Sequence, residues 1–300
     1  MERVKEDRSL RVLTWNLWWR FGRWQERRKV IVVELRRMRP DVCGLQEVWA
    51  DERENLAASI AEELGMHHAY APSPAPGKWQ RRIGDAGVEV GCAVLSRWPI
   101  TESDARRLPT GDEPDEGRTV LYARIDAPRA GVPFFVTHLN SGLGQSALRK
   151  EQVGAIAGFM REKGQDAHPP VLAVDFNAPP DADEVRCLVG KAPPPVRGFV
   201  LADAWGYARP LEPGWTWDRR NPHVAATFEP DARIDYLFVG PPGGDGLGQV
   251  LDVGLFGTGP VDGVWASDHF GVLAVLRGGP EHADRASAAR QRTTSETEER

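Results

Sequence analysis

The sequence predicts an α/β protein, and its pattern fits a two-sheet sandwich with outer helices without separating it from other α/β folds. Three observations predict it. Short apolar runs rich in β-branched residues are interspersed with longer segments of helical periodicity. Hairpin-like strand pairs, such as 120–125 followed by 133–137, sit among them. No linker-like stretch and no internal repeat interrupts the 300 residues, which suit one large domain.

Each element has its own warrant. Residues 11–15 are rich in β-formers and read as the first strand. Residues 24–38 place Val30, Ile31, Val33, Leu35 and Met38 among charges, an amphipathic helix that Pro40 ends. Residues 41–45 read as a buried strand, with Glu47 just past its end. Residues 55–64 form a second helix stopped by Gly65. Residues 71–87, with prolines early and Arg81-Arg82 later, read as a long loop, a feature that in compact domains tends to be functional. Residues 88–95, 120–125 and 133–137 read as strands, 148–160 as a helix and 171–174 as another buried strand. Three consecutive prolines make 191–197 a stiff surface loop. Residues 233–239, 250–255 and 270–276 complete the strands. A flexible N-terminus at 1–9 and a disordered, polar tail at 278–300 are expected to flank a domain at 10–277.

Composition narrows the function. Charged residues make up 27% and no apolar run nears the roughly 20 residues that span a bilayer. The N-terminus is charged and lacks the apolar stretch of a secretory signal, so a cytoplasmic location is expected. Cys43, Cys92 and Cys187 are too sparse for a disulfide framework or a cysteine zinc site, and the first two read as core thiols. The net charge of −5 argues against a dedicated non-specific DNA binder, which needs a basic face to neutralise phosphates. A small phosphoester or a phospholipid headgroup suits it better.

Seven short motifs recur in order, most with a polar residue at the end of an apolar run: Thr14-Trp15-Asn16-Leu17, Leu45-Gln46-Glu47-Val48, Ala93-Val94-Leu95-Ser96-Arg97, Thr137-His138-Leu139-Asn140, Asp175-Phe176-Asn177, Arg233-Ile234-Asp235-Tyr236 and Ser267-Asp268-His269-Phe270. Taken singly they are turn asparagines, solvated carboxylates or helix caps. Together they form an inventory for a hard cation and for acid–base chemistry on phosphate. Asp235 lies in an apolar run, an expensive place for an unpaired carboxylate, so a histidine partner is expected. Asp175 and Asn177, two residues apart, share a face if the chain stays extended.

The ordered set resembles the endonuclease/exonuclease/phosphatase superfamily, the fold of deoxyribonuclease I, abasic-site endonucleases, neutral sphingomyelinases and inositol polyphosphate 5-phosphatases, over roughly residues 10 to 277. The resemblance implies a four-layer α/β/β/α sandwich of two packed mixed sheets. It implies metal ligation by Asn16, Glu47 and Asp268, and catalytic roles for His138, Asp175, Asn177, Asp235 and His269. Asp235 would hold His269 and Asp175 would orient the attacking water. Arg118, Trp217 and Asn140 are candidates for substrate contact, and Glu89 for the carboxylate behind His138. One departure stands out: Val174 occupies a position that is usually glycine in the family. Arg149 and Gln152 match a family position but suit a structural role. The segment Gly214–Asp218 followed by Asn221-Pro222 resembles one near the site in the sphingomyelinase-like branch.

The function expected is Mg²⁺-dependent hydrolysis, with Mn²⁺ as substitute, of a small or lipid phosphodiester by direct water attack. A nuclease would instead show Arg81, Arg82, Arg118 and Arg149 converging on His269. A phosphomonoesterase would show a closed cationic pocket, and a non-catalytic binding module would show no response to metal. Nucleic acid and a membrane surface are both open as partners, and no obligate protein partner is implied.

Overall fold

The computed structural model describes residues 9–278 apart from 113, 228 and 245. The expected N-terminal and C-terminal flanks therefore lie outside the described residues, except for Ser9 and Gly278. Ser9 is not part of a flank, because it opens the first strand. The elements are β1 (Ser9–Asn16), α1 (Trp24–Met38), β2 (Val42–Ala50), α2 (Leu56–Leu64), β3 (His67–Pro72), α3 (Gly77–Ile83), β4 (Glu89–Ser96), β5 (Ile100–Arg107), β6 (Thr119–Ile125), β7 (Val132–His138), α4 (Ser146–Lys163), β8 (Val171–Asp175), α5 (Asp183–Leu188), β9 (Ala202–Asp203), α6 (Ala204–Ala208), α7 (Pro222–Ala225), β10 (Asp235–Val239), β11 (Val250–Phe256) and β12 (Gly271–Arg277).

The strands form two six-stranded mixed sheets, ordered β11-β12-β1-β2-β4-β3 and β5-β6-β7-β8-β10-β9. Each sheet has one parallel pair at its centre, β1 with β2 and β7 with β8. Each pair is joined by its crossover helix, α1 or α4, as parallel strands require. The two sheets thus repeat one design that no sequence repeat announces.

Burial explains the layering. Along β1, Leu10 and Val12 face the second sheet, while Leu13 and Trp15 face the helices, so both faces of the strand are apolar. Val12, Val42, Phe134, Val136, Val171 and Ala173 meet in the core between the sheets. Ile31 and Leu35 of α1 and Ile60 of α2 cover one outer face. Ile156, Phe159 and Met160 of α4 cover the other. This is the four-layer α/β/β/α sandwich. Asn55 caps α2 by accepting from Ala57 and Ala58 N–H, and Gly65 closes it in the left-handed conformation.

Several elements depart from expectation. The presumed loop at 71–87 contains the end of β3 and all of α3. Strands β3 and β5 lie at sheet edges and are largely exposed, so they lack the alternation that marks a half-buried strand. The charged β5 sequence, Ile-Thr-Glu-Ser-Asp-Ala-Arg-Arg, is what an edge exposed to water calls for. Glu47 lies inside β2, not beyond it. No helix among the described residues is long and apolar enough to cross a membrane.

The sheets approach most tightly where Gly44 of β2 faces β8. A Cβ at Gly44 would lie 2.3 Å from Ala173 Cβ and 3.2 Å from Phe134 and Val136 side-chain atoms. Gly44→Val is therefore expected to cost about 3 kcal/mol through overpacking. Urea unfolding checks it, and an unchanged midpoint would mean that the inter-sheet gap is looser than described.

Candidate active site

The polar motif residues meet at one end of the sandwich, where both parallel pairs finish. Asn16 ends β1, and Glu47 sits near it on β2. His138 and Asp175 end β7 and β8 and are register partners, and Asp235 opens β10 directly opposite Asp175. Ser267, Asp268 and His269 arrive on the loop before β12. Asn16, Glu47, His138, Asp175, Asp235, Asp268 and His269 are all buried.

A β-bulge aims Glu47. The β2–β4 register shifts between Leu45 and Val48, and Glu47 takes a left-handed φ of 52°. Such a backbone is strained for a side-chain-bearing residue and commonly marks a site where a bulge redirects a side chain. Asn16 Nδ2 bridges two carboxylates, donating to Glu47 Oε1 at 3.1 Å and Asp175 Oδ2 at 2.9 Å. Its Oδ1 accepts from Trp18 N–H, so Asn16 orders the two carboxylates through its amide nitrogen. Glu47 Oε2 is buried without a partner. Burial, and then the Asp268 charge, push the Glu47 carboxyl up to about 7. Burial likewise raises Asp268, against the opposing charges of His269 and Arg27.

The two histidines are held in opposite states. Burial and the nearby Arg118 push His138 well below the usual imidazole range. Its Nε2 then accepts from Asn177 Nδ2 at 2.9 Å and lies 3.3 Å from Asp175 Oδ2. With Nε2 accepting, His138 carries its ring proton on Nδ1. Asn177, itself at a φ of 51°, also donates to Leu139 O. Burial works against a charged His269, but Asp235 and Asp175 outweigh it and hold it well above the usual range. His269 Nδ1 donates to Asp235 Oδ2 at 2.9 Å, and its Nε2 lies 3.9 Å from Asp175 Oδ2.

One wall is basic and aromatic. A cavity of about 20 Å³ beside Glu47 and His138 is lined by Trp79, Glu116 and Arg118. Glu116 accepts from Lys78 and Arg118 at 2.5 Å, and although burial opposes it, these cations hold its carboxyl at about 2. Arg118 Nε is buried without a partner. Trp79 stands edge-on to His138, and Arg82 stacks over Phe21 at 4.3 Å. On the far side Trp217 lies edge-on to His269, 4.9 Å between centroids, with its Nε1 buried and unpartnered.

Two candidates behave differently from expectation, and a third as expected. Glu89 is exposed and makes no contact with His138; only its backbone carbonyl is used, by Trp19 Nε1. Its place near the start of β4 carries the side chain away from the site. Asn140 is buried with its amide committed to Gln145 and Gln152, so it braces the loop after β7 and is not presented to substrate. Arg149 turns inward to Glu184 at 2.6 Å and to the carbonyls of Asn140 and Gly142, the structural role expected of it.

Arg27 escaped the sequence reading, while Thr216 and Asn221 fall in the segment it had flagged near the site. Arg27 donates to five backbone carbonyls, those of Leu17, Trp18, Trp19, Phe21 and Ala266, and ties the chain after Asn16 to the chain before Asp268. On a helix surface it looks like any charged residue. Thr216 Oγ1 accepts from Asp235 N–H, and Asn221 Nδ2 donates to the carbonyls of Ser267 and Asp268. The Thr-Trp-Asp…Asn pattern was the available signal for those two.

Comparison with known proteins agrees with this geometry. The sequence model of a family described as "Endonuclease/Exonuclease/phosphatase family" matches residues 13–269. The chain is 28% identical over 196 residues to "Inositol phosphosphingolipids phospholipase C" of Schizosaccharomyces pombe, covering 59% of this chain and 43% of that protein. It is 24% identical over 213 residues to "Protein angel" of Drosophila melanogaster, covering 65% and 57%. The chain thus spans about half the length of the curated relatives it matches. Among solved structures, D. rerio TDP2 complexed with single strand DNA product superposes with a TM-score of 0.70 at 20% identity, covering 90% of this chain and 99% of that one.

The raised Glu47 carboxyl has a stability consequence. A carboxyl whose pKa is higher folded than unfolded stabilises the fold below its unfolded value, and this is lost as pH rises toward about 7. In metal-free protein at pH 8, Glu47→Gln keeps an acceptor for Asn16 and removes the charge, an effect of at most about 3 kcal/mol. The melting temperature is expected to rise by roughly 4–8 °C at pH 8 and little at pH 5. Calorimetry in EDTA checks this, and equal melting at both pH values would remove the proposed repulsion.

Proposed function

Because the chain belongs to the endonuclease/exonuclease/phosphatase family, we propose that it is a Mg²⁺-dependent phosphoesterase that hydrolyses a small or lipid phosphodiester by direct water attack. One observation carries this reading: Glu47, Asp175, Asp235 and Asp268 are buried together around two histidines, His269 bonded to Asp235 and His138 to Asn177.

The residues fit a hard cation. Glu47 Oε2 and Asp235 Oδ1 are buried oxygens without partners, and carboxylate oxygens are the ligands Mg²⁺ prefers. Asp175, Asp235 and His269 also offer ligand atoms within 4.8 Å of one another. His269, however, spends Nδ1 on Asp235 and is held protonated, which makes it a poor ligand. Glu47 and Asp268 are therefore the holders, with Asn16 orienting Glu47. When bound, the cation neutralises phosphate charge and stabilises the leaving oxygen.

The chain's own groups do the rest. Asp175, in reach of both histidines, accepts the proton of the attacking water. His269, charged by Asp235, donates Nε2–H to a phosphate oxygen. The unpartnered Arg118 Nε stabilises charge on the pentacoordinate state, and Asn177, with its amide on His138 Nε2 and Leu139 O, positions His138. No side-chain nucleophile competes: Ser267 Oγ donates to Asn16 O at 2.7 Å, and burial pushes the Cys92 thiol up to about 12.

The substrate preference rests on the walls. Arg149 is spent on Glu184, so the four arginines of a nuclease groove do not converge. The relative named as a phospholipase C supports a lipid phosphodiester. A nuclease is the second reading, favoured by Lys78, Arg82 and Arg118 along one wall and by the DNA-bound TDP2 of similar fold. The charged composition supports a cytoplasmic location, which fractionation of the native protein tests.

Hydrolysis of bis-p-nitrophenyl phosphate, p-nitrophenyl phosphate, p-nitrophenyl phosphocholine and plasmid DNA is expected to require Mg²⁺ and to stop in EDTA. Asp175→Ala and His269→Ala each lower kcat by on the order of a thousandfold or more while leaving the fold intact. Near-wild-type rates in either folded variant would end the proposed mechanism. No turnover and no Mg²⁺-induced thermal shift would instead indicate a binding module.

Because Asp235 raises His269, Asp235→Asn is expected to move the high-pH limb of kcat to lower pH. A pH–rate profile checks this, and an unmoved limb would detach His269 from the acid role.

A further inference from the structure

A large groove lies away from the catalytic cluster. A groove of about 1230 Å³ opens at the opposite end of the sheets, where β1 and β7 begin and the chain enters β2 and β8. Leu10 on its rim and Asn16 in the active site lie six residues apart on one strand, about 20 Å at ~3.3 Å per residue. The two sites are therefore separate.

Among the described residues, five arginines line the groove, Arg11, Arg36, Arg39, Arg97 and Arg129, against one carboxylate, Asp41. In a chain of net charge −5 this concentration is not background. Asp41 is already shared: its Oδ2 accepts from Arg11 N–H at 2.9 Å and its Oδ1 pairs with Arg97 at 3.2 Å. Arg36 reaches the Glu63 carbonyl, and the Glu63 carboxylate at 3.6 Å. Arg11 Nε and Nη2 are held by the carbonyls of Met38 and Arg39, which fixes that guanidinium in place. The Arg39 guanidinium has no partner among the described residues. It projects from the residue that closes α1 in the left-handed conformation.

A second kind of observation points the same way. His168 lines the groove and is only 1% exposed. Its Nδ1 donates to Pro169 O at 2.7 Å, and its Nε2 is buried with no partner. A phosphate hydroxyl would supply the missing donor. Half-buried Trp98 adds an apolar wall beside these polar groups.

We propose that this groove is a second binding site, for a multiply phosphorylated small molecule. Guanidinium groups match phosphate oxygens in paired, charge-assisted hydrogen bonds. Their spread over a groove of this size suits several phosphates better than one. The site makes no demand on the catalytic cluster, so it stands whether or not the phosphoesterase reading does.

Calorimetric titration of the full chain with tripolyphosphate, in EDTA, tests it. Saturable one-to-one binding is expected. Arg39→Gln alone weakens it, and Arg39→Gln with Arg97→Gln weakens it by roughly tenfold or more. Both variants should melt as the wild type does. Arg118→Gln, at the active site, leaves the affinity unchanged. Absence of binding by the full chain, full affinity in the folded double variant, or loss of binding in Arg118→Gln would each overturn the proposal.

Discussion

Confining four carboxylates to one buried place is the constraint on which the rest of this structure depends. A buried charge is tolerated only where hydrogen bonds or opposite charges offset it. Each carboxylate here has a specific counterweight. Asn16 bridges Glu47 and Asp175, His269 takes Asp235, and Ser267 and the Arg27 charge attend Asp268. The offset is incomplete, because Glu47 Oε2 and Asp235 Oδ1 stay without partners. That residue of unsatisfied acceptor capacity is what gives the site its appetite for a cation.

Two identical crossovers make such confinement possible. Each sheet sends one parallel pair toward the same end, so strand termini from both sheets converge there. Ligand sites in α/β proteins form at the carboxyl ends of parallel strands for this reason. Convergence alone is not sufficient. The bulge at Glu47 and the left-handed Asn177 turn side chains inward that regular strands would direct elsewhere. Arg27 then pins the two loops that carry Asn16 and Asp268, with all five of its guanidinium donors on backbone carbonyls. Burial lowers its pKa to about 10, but it stays charged, and its charge lies toward Asp268 and Glu47.

What was legible in the sequence follows from this physics. Buried strands such as β2, β7 and β8 declare themselves by apolar runs, and α1 by its spacing. The edge strands β3 and β5 bury too little to leave a pattern. The motif residues were legible as an ordered set, because each alone has an ordinary structural reading and only their combination points to one site. Their partners were less so. Asp235 with His269 could be anticipated from the cost of an apolar carboxylate, whereas Glu89 was chosen for its position before a strand and turned out exposed. Asn140 shows the same limit, since only the fold reveals that Gln145 and Gln152 occupy its amide. Backbone-directed contacts such as those of Arg27 have no sequence signature, because their acceptors carry no side-chain identity.

Charge is distributed along the strand direction. The carboxylates gather where the parallel strands end, and five arginines gather where they begin, in a chain whose net charge is −5. Strand dipoles alternate within these sheets and cannot produce such a polarity. It is carried by side chains: Arg11 on β1 and Arg97 following β4 at one end, Glu47 on β2 and Asp175 on β8 at the other. At the carboxylate end Lys78, Arg82 and Arg118 stand along one wall, so cations and carboxylates lie side by side there. At the arginine end the carboxylate of Asp41 is already shared between Arg11 N–H and the Arg97 guanidinium. The two ends therefore differ in how far their charges are matched within the described residues.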